Sequence, residues 1–558
     1  MAKTTSGGWR IASRVSVRGA GRESGIRDWS AELLPADADG WKLVSLELGG
    51  ETIVAAIETP AAQAEELAAV ELDDAFDFAK IPRPAPLQTM GPPSEDFYGE
   101  QTPAWAVQRL ADVIDARRVS SETLVVWVVD ASPSTAGLRR EVQGALDLLY
   151  APTEPSADRK PLWSTVTSFA TDLQVNLPEP VQGSDEVKSA MRAIVEDDTG
   201  REATFAAIGA VAGKWAEFVA ARDGNTVVVV VTDEAGDDSS LLESTIQAIR
   251  ERQAPVYVIG GRAPFGRAMV AGFGPENDGF SRQGGAPTLL QGPESWASEH
   301  IRLEFGDGGF GGGMADALDS GFGPCALNRL ARQSSGAYFA CRIGVSDPSA
   351  PGGGSLLRSF SADALARYAP DYCSEEEYRQ LLEENGARRA LVEAAKLPAA
   401  AAPRSLRLDF PMAGAAEIKR MLDDAQKPVA IVEPAIDALY QTLRRGESDR
   451  PRLEGPRWQA GFDLAYGRVL AAKVRAEGYN AMLAQLKLSP VFKDSNSNTF
   501  LLRPDDSTGA GSAYDRLIKL SRQHLQRAID EHPGTPWAYL AEIELRTPLG
   551  WRWDEARQ

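Results

Sequence analysis

Uninterrupted apolar runs alternate with amphipathic segments through the middle of the chain. The run at residues 226–231 is five valines behind a threonine, and the run at 123–129 carries no charged residue. Such runs are typical of strands buried on both faces of a sheet. The predicted strands are 123–129, 163–170, 173–177, 226–231, 256–259 and 337–341, and the predicted helices are 105–118, 138–150, 204–219, 241–252 and 327–333. Because strands that alternate with helices form parallel sheets, the pattern predicts an α/β fold with helices on both faces of a parallel sheet.

The segments before this region have other patterns. Two β-prone runs, at residues 41–48 and 51–57, are separated by two glycines, which is the spacing of a two-residue hairpin. Residues 1–30 are basic and poor in apolar residues, which predicts a disordered arm. We therefore expect an arm over residues 1–30, a small β unit over 31–60 and an acidic, Pro-rich linker over 61–103.

Glycines interrupt the alternation at residues 262–322, which predicts an insertion within a sheet domain that spans residues 104–342. Residues 306–311 of this insertion fit G-x-G-x-x-G, but no acidic residue follows at the end of a next strand, so they indicate a flexible loop and not a dinucleotide site. After a predicted linker at residues 343–374, helical periodicity continues with no persuasive strand pattern. We therefore expect a helical C-terminal domain over residues 375–558.

Side chains with oxygen donors follow two of the predicted strands and begin one of the predicted helices. Asp130, Ser132 and Ser134 occupy alternate positions after the first strand, Asp233 follows the five valines, and Thr204 stands at the start of a helix. Parallel sheets place ligands at the carboxyl ends of their strands, where neighbouring loops converge. Carboxylates and hydroxyls are hard donors that suit Mg²⁺ or Ca²⁺ and not a soft metal. The sequence therefore predicts a divalent-cation site at this edge of the sheet.

These residues give the chain a resemblance to the von Willebrand factor A family, whose pattern is D-x-S-x-S, then a threonine, then a T-D strand end. The match covers residues 121–342. The resemblance implies a doubly wound, mostly parallel sheet and a metal-ion-dependent adhesion site. It implies a divalent ion held by Asp130, Ser132, Ser134 and Thr204, with Asp233 acting through water. It also implies a protein partner whose acidic side chain completes the coordination of the metal. The C-terminal helices and the segment 550–553 resemble bacterial A-domain proteins of unassigned role.

The site departs from the family pattern at three places. Ala131 and Pro133 stand where glycine is commoner, and the threonine loop, residues 201–204, reads Arg-Glu-Ala-Thr where Gly-Gly-Thr is usual. Glu234 follows the T-D pair in place of glycine. Every oxygen ligand is retained, so these departures bear on affinity and selectivity for the metal. Glu234, Asp237 and Asp238 add negative charge, which would tighten cation binding or repel an acidic partner.

The function that we expect is noncatalytic, namely divalent-cation-dependent binding of a protein partner. Mg²⁺ is the expected cation, with Ca²⁺ and Mn²⁺ as alternatives. One alternative function is that of an accessory subunit coupled to a partner ATPase or chelatase. Another is a metal-dependent hydrolase, for which the sequence offers no general base, and a third is a structural protein with a vestigial site. At the level of structure, the alternative to a metal site is that the hydroxyls of Ser132, Ser134 and Thr204 only cap helices.

Composition disfavours several other functions. The balance of 59 Lys and Arg against 79 Asp and Glu gives a net charge of -20, which repels nucleic acid. Three histidines, and three cysteines without a C-x-x-C pair, are poor material for a zinc site or a disulfide framework. No apolar stretch has the length of a transmembrane segment or the character of a secretory leader. We therefore expect a cytoplasmic protein, with an exported form whose leader has been removed as the alternative.

Overall fold

A computed structural model describes the chain in segments and divides it into two compact units, Met1–Thr89 and Met90–Gln558. Almost all of the linker predicted over residues 61–103, and more than half of the insertion predicted over 262–322, lie outside the described residues. The described residues are 2–3, 9–19, 22–36, 40–48, 51–55, 102–150, 159–266, 269–271, 288–290, 292–301, 303–304, 318–342, 360–398, 400–401, 406–412, 414–506 and 511–557.

The first unit contains an antiparallel sheet of five strands that pair in sequence order. The strands are β1 (Ala2–Lys3), β2 (Trp9–Gly19), β3 (Arg22–Ala36), β4 (Gly40–Leu48) and β5 (Glu51–Ala55). The two strands predicted at residues 41–48 and 51–57 are confirmed by β4 and β5, which pair with each other.

The disordered arm predicted over residues 1–30 is corrected by the structure, because β2 and part of β3 lie there. Its basic composition concealed an alternation with a period of two. Arg10, Arg14 and Arg18 occupy even positions, whereas Ile11 and Val15 occupy odd ones. That alternation is typical of a strand, so the pattern predicts this segment better than its composition does.

The second unit begins with a six-stranded sheet in the order β14-β10-β9-β6-β7-β8. Every neighbouring pair is parallel except β7 and β8. The predicted α/β fold with a mostly parallel sheet is therefore confirmed. The elements, in chain order, are α1 (Pro103–Arg118), β6 (Thr123–Asp130), α2 (Ala136–Ala145), α3 (Asp147–Tyr150), β7 (Leu162–Phe169), β8 (Leu173–Val181), α4 (Ser184–Arg192), α5 (Thr204–Val211), α6 (Ala216–Ala220), β9 (Asn225–Thr232), α7 (Leu242–Glu251), β10 (Val256–Gly261), β11 (Met269–Ala271), β12 (Thr288–Leu290), β13 (Leu303–Glu304), α8 (Cys325–Gln333) and β14 (Ala337–Cys341).

Helices cover both faces of this sheet, because alternate residues of its central strand point to opposite sides. Trp127 and Val129 of β6 lie in a core with apolar residues of α1 to α4. Val126 and Val128 lie in a second core with apolar residues of α5, α7 and α8. All eight residues of β6 are buried, so the position of its carboxyl end is fixed by packing.

The C-terminal region is helical, as predicted, but it also contains strands. Its elements are α9 (Ala362–Leu365), α10 (Glu375–Glu384), α11 (Gly386–Ala395), β15 (Ala400–Ala401), β16 (Asp409–Pro411), α12 (Ala415–Gly446), α13 (Pro456–Leu488), β17 (Thr499–Asp505), α14 (Ser512–Glu531), α15 (Pro536–Arg546) and β18 (Gly550–Ala556). β16, β17 and β18 form an antiparallel sheet that the sequence analysis did not predict. These strands are short, and β16 lies far along the chain from its partner, so local periodicity gave little indication of them.

The linker predicted over residues 343–374 is only partly a linker. Residues 343–359 lie outside the described part of the chain. From residue 360 onward, Leu365 and Tyr368 are buried in a cluster with Trp537 of α15. This part of the segment therefore belongs to the folded C-terminal region.

The two longest described helices are α12 and α13, with 32 and 33 residues. Neither they nor the other helices in the described part of the chain combine the length and apolar character that crossing a membrane requires.

Candidate metal centre

Asp130 and Asp233 lie at the carboxyl ends of neighbouring parallel strands. Asp130 is the last residue of β6, and Asp233 follows the last residue of β9. The two strands pair in register, with Val129 opposite Val231. From β6 the chain continues to β7 on one side, and β9 returns on the other side. This is the switch point of a doubly wound sheet, where the loops diverge and open sheets of this type bind ligands.

The carboxylate of Asp130 is completely buried and accepts two hydrogen bonds from the protein. The backbone N–H of Ser132 donates to Oδ1 over 2.8 Å, and the hydroxyl of Thr232 donates to Oδ2 over 2.7 Å. Burial raises the pKa of Asp130, and the hydrogen bonds from Ser132 and Thr232 act in the opposite direction. The two bonds fix the carboxylate while leaving each oxygen a further lone pair.

Ser132, Ser134 and Asp233 form a chain of oxygen contacts across the two strand ends. The hydroxyls of Ser132 and Ser134 are 3.0 Å apart, and the Ser134 hydroxyl donates to Asp233 Oδ1 over 3.1 Å. The motif loop, residues 130–135, and the acidic loop, residues 233–238, therefore meet through predicted ligands. The structure brings four of the five predicted residues together in one network, since Asp130 is bonded to the backbone of Ser132.

Thr204, the fifth predicted residue, is the first residue of α5 and is completely buried. Its hydroxyl has no hydrogen-bond partner among the residues that the structure describes. The backbone of Gly236, which has a φ of 84°, passes so close that a Cβ there would lie 2.8 Å from Thr204 Oγ1. The threonine loop is thus in contact with the acidic loop.

The alternative that the hydroxyls only cap helices is wrong for this structure. Ala203, and not Thr204, is the N-cap residue of α5. Ser132 precedes a short 3₁₀ turn, Pro133–Thr135, but its side chain makes no capping bond there. The capping of α5 is done by Asp238, whose carboxylate accepts from the backbone N–H groups of Phe205 and Ala206 over 3.0 and 2.7 Å. The predicted hydroxyl ligands therefore have no capping role that would account for them.

Asp237 and Asp238 also have defined roles in joining the loops. Asp237 accepts from the backbone N–H of Glu202 over 3.2 Å, and its own N–H donates to the Glu202 carbonyl over 2.9 Å. Together with the Asp238 cap, these bonds tie the acidic loop to the threonine loop. From the sequence alone, both aspartates were expected only to add negative charge.

Arg139 stabilises the motif loop through hydrogen bonds. This residue was not identified from the sequence. Its buried guanidinium donates from Nη1 to the carbonyl oxygens of Asp130 and Ser132 over 2.9 and 2.8 Å. Nη1 also donates to Thr135 Oγ1, and Nη2 donates to Glu196. A signal was available, because Arg139 lies one helical turn after Thr135 and next to buried Leu138.

Buried carboxylates surround the predicted ligands. Burial raises the pKa of Asp233 to about 8, with further contributions from Asp130 and Glu234. Burial likewise raises the pKa of Glu202 to about 8, with Glu234 and Asp130 next in importance. Within the described residues, no three His, Cys, Asp or Glu side chains converge closely enough to hold a metal by themselves. A cation here would therefore depend on the hydroxyls as well as on the carboxylates.

No protein-family model and no curated protein matches this chain. Among solved structures, it is similar to an aerotolerance-related membrane protein from Bacteroides fragilis, at 14% identity over 39% of this chain and 92% of that one, with a TM-score of 0.25. It is also similar to BatB from Bacteroides thetaiotaomicron, at 12% identity over 40% of this chain and 92% of that one, with a TM-score of 0.25. A third similarity, to proximal thread matrix protein 1 from the mussel byssus, has 17% identity over 26% of this chain and 37% of that one, with a TM-score of 0.21. At these TM-scores we draw no functional conclusion from the similarities.

Proposed function

We propose that the sheet domain binds a divalent cation at the switch point and uses it to bind a protein partner. Asp130, Ser132, Ser134 and Thr204 would ligate the ion, and Asp233 would act through a water molecule. Mg²⁺ is the proposed ion, with Ca²⁺ and Mn²⁺ as alternatives. The proposal carries no catalytic step.

The observation that carries this proposal is the buried hydroxyl of Thr204, which has no hydrogen-bond partner in the described part of the chain. A buried hydroxyl without a partner is destabilising, and such groups in folded proteins call for an explanation. A cation that Thr204 shares with the Ser132 and Ser134 hydroxyls and the Asp130 carboxylate would supply the missing partner.

The donor set fits a hard divalent cation. All of the proposed donors are oxygens, which Mg²⁺ and Ca²⁺ prefer, and neither a thiolate nor an imidazole is among them. The charge of Asp130 contributes to the raised pKa values of both Asp233 and Glu202, so a positive charge among these carboxylates would relieve that repulsion. When bound, the cation supplies an open coordination position for an oxygen of the partner.

The surrounding loops fit a site that is preorganised before the ion binds. Arg139 fixes the carbonyls of the motif loop, and Asp238 fixes the first turn of α5, on which Thr204 stands. Because these contacts do not involve the proposed ligand atoms, they would persist when the ion binds. A rigid shell of this kind lowers the ordering cost of binding.

Capture of the partner from a native extract, with and without a chelator, tests the proposal. Wild type, Asp130→Ala and Asp198→Ala would serve as baits, since Asp198 is exposed and makes a matched change of charge. We expect a partner that binds wild type and Asp198→Ala in Mg²⁺ and is lost both with chelator and with Asp130→Ala. A partner retained equally by all three baits, with and without chelator, would contradict a cation-dependent interaction.

One observation favours a second candidate, metal-assisted hydrolysis. The sequence offered no general base, but Glu202 is a buried carboxyl beside the site with its pKa raised to about 8. A bound cation would lower that pKa, which weakens the case for a base that acts near neutral pH. Turnover of a broad ester and phosphate-ester panel by wild type in Mg²⁺, lost in Glu202→Gln, would support this candidate, and no turnover by wild type would dismiss it.

A further inference from the structure

A cavity of about 340 Å³ lies in the C-terminal region. Its wall is formed by the segment before α10, by α10 and α11, and by the start of α13. The polar and aromatic side chains that line it are Arg367, Asp371, Arg388, Glu454, Arg457 and Trp458. Three arginines in one wall are unusual for a cavity that has only a structural role, because each guanidinium needs several acceptors.

The first turn of α13 forms part of this wall. The helix has 33 residues, its N-cap residue, Gly455, has no side chain, and its first residue, Pro456, has no backbone N–H. The N–H groups of Arg457 and Trp458 therefore have no partner within the helix, whereas the N–H of Gln459 donates to the Gly455 carbonyl. The aligned peptide dipoles place partial positive charge at this end. A helix N-terminus attracts oxyanions, but this position becomes a candidate site only because of the arginines beside it.

Arg388 is the first of these arginines and is only 9% exposed. Its Nη2 donates to the carbonyl oxygen of Glu454 over 3.0 Å, whereas its Nε–H has no acceptor among the described residues. The guanidinium lies 5.2 Å from the ring centroid of Trp458, which restricts its orientation. Arg388 is thus a buried cation with a restricted orientation, and it has an N–H group that can donate to a ligand.

Arg457 is the second and is 4% exposed. It donates from Nε to Glu299 over 2.6 Å and from Nη2 to Glu294 over 3.0 Å. Those two carboxylates offset its charge, but for its Nη1 the described residues provide no acceptor. Both buried arginines in the wall therefore carry an unpaired N–H group, and each such group is destabilising unless an acceptor is bound.

We propose that this cavity binds a small molecule through a single oxyanion, of the phosphate or carboxylate kind. The oxyanion would lie at the start of α13 and accept hydrogen bonds from Arg388 and Arg457. Asp371, which accepts from the Trp458 indole over 2.8 Å, and the exposed Glu454 oppose a second negative group. The volume exceeds that of one oxyanion, so the remaining space accommodates an uncharged part of the ligand.

Thermal unfolding of the full chain, titrated with inorganic phosphate, glycerol phosphate and butyrate, tests this inference. A chelator must be present so that a cation at the sheet edge does not bind the anions, and sodium chloride at equal ionic strength gives the reference. A ligand that binds only the folded state raises Tm with its concentration. We expect at least one of the probes to raise Tm above the chloride reference, and the contrast between the phosphate probes and butyrate, which carries a single carboxylate, identifies the oxyanion.

Arg388→Gln and Arg389→Gln provide a matched pair, since both residues lie on α11 and Arg389 is exposed. We expect Arg388→Gln to lose at least about tenfold in affinity and Arg389→Gln to bind like wild type. If Arg388→Gln does not fold, Arg388→Lys keeps the charge without the guanidinium fork and should still bind more weakly than wild type. Tm changes no larger than the chloride reference, or equal affinity in wild type and a folded Arg388 variant, would overturn the inference.

Discussion

The hydroxyl of Thr232 donates a 2.7 Å hydrogen bond to Oδ2 of Asp130, across the paired ends of β6 and β9. Thr204, which is also completely buried at the site, has no such partner among the described residues. The two hydroxyls are chemically equal, but one already stabilises the cation-free fold and the other does not. That difference separates residues that support the site from residues whose proposed role needs a cation.

Thr204→Val removes the unpaired hydroxyl and keeps the shape of the side chain. We expect the cation-free protein to become more stable by about 1 kcal/mol, because a buried group without a partner is lost. In the same variant, affinity for Mg²⁺ should fall by at least about tenfold, since one ligand is gone. Urea unfolding in chelator and calorimetric Mg²⁺ titration measure the two effects. A Thr204→Ser control retains the hydroxyl and should keep the affinity, whereas unchanged affinity in Thr204→Val would remove Thr204 from the site.

Thr232→Val makes the same chemical change on the partnered hydroxyl, with the opposite expected effect on stability. It leaves the buried Oδ2 of Asp130 without its donor, so we expect the cation-free protein to lose about 1 to 3 kcal/mol. Urea unfolding of both valine variants in chelator gives the comparison. Equal changes in the two variants would show that the hydrogen-bonding difference between these threonines has no energetic consequence.

Arg139→Gln tests whether the motif loop depends on its buried arginine. The substitution removes the bonds to the Asp130 and Ser132 carbonyls, so we expect a loss of about 2 to 3 kcal/mol in the free energy of unfolding, together with weaker cation binding. Arg140→Gln is the matched control, because Arg140 is the next residue of α2 and is exposed. We expect it to stay within about 0.5 kcal/mol of wild type. Similar losses in both variants would point to helix α2 in general and not to the loop contacts.

The buried carboxyls predict how stability depends on pH when no cation is present. Burial raises the pKa of Asp233 and of Glu202 to about 8, from ordinary values of 3.8 and 4.5. A folded-state pKa above the unfolded value contributes stability that is complete below the unfolded pKa and is lost as pH rises through the folded one. The free energy of unfolding in chelator should therefore fall between about pH 4 and about pH 8.

Asp233→Asn should reduce this fall, because an amide does not titrate, and Asp198→Asn at an exposed position should leave it unchanged. Saturating Mg²⁺ should also reduce the fall in wild type, since a nearby cation favours the ionised carboxylates. Urea unfolding across the pH range measures all three. A pH dependence that is identical in wild type and Asp233→Asn would place the titrating group elsewhere.

The positions of the proposed ligands were predictable from the sequence because each follows from a local rule. Asp130 and Asp233 directly end apolar runs, and parallel strands bring such ends to one edge of a sheet. The hydrogen-bonded chain from Ser132 through Ser134 to Asp233 confirms that these positions converge. Whether they bind an ion stays a prediction.

The residues that support the site were not predictable in the same way. Asp238 caps α5 from 33 positions further along the chain, and Arg139 is a charged residue on the buried side of α2. Both roles depend on which loops meet in three dimensions. Helical spacing places Arg139 one turn after Thr135 but does not show which loop carbonyls its guanidinium contacts. The strands β17 and β18 show the same limit, because their pairing joins Leu502 to Trp553 across the two final helices.

The prediction that residues 1–30 are disordered was wrong for a different reason. Their arginines gave a composition typical of disorder, yet Ile11, Val15 and Val17 recur with a period of two. A strand with one polar face can carry many charges without losing its pattern. Alternation was therefore the better guide to β2 than the average composition.

Calorimetric titration of Mg²⁺ into wild type, Asp130→Ala and Asp198→Ala, each at equal concentration, tests the proposed cation site most directly. We predict saturable heats for wild type and for the exposed Asp198 control, and their loss in Asp130→Ala. Weak, non-saturating heats that are the same in all three proteins would contradict the site.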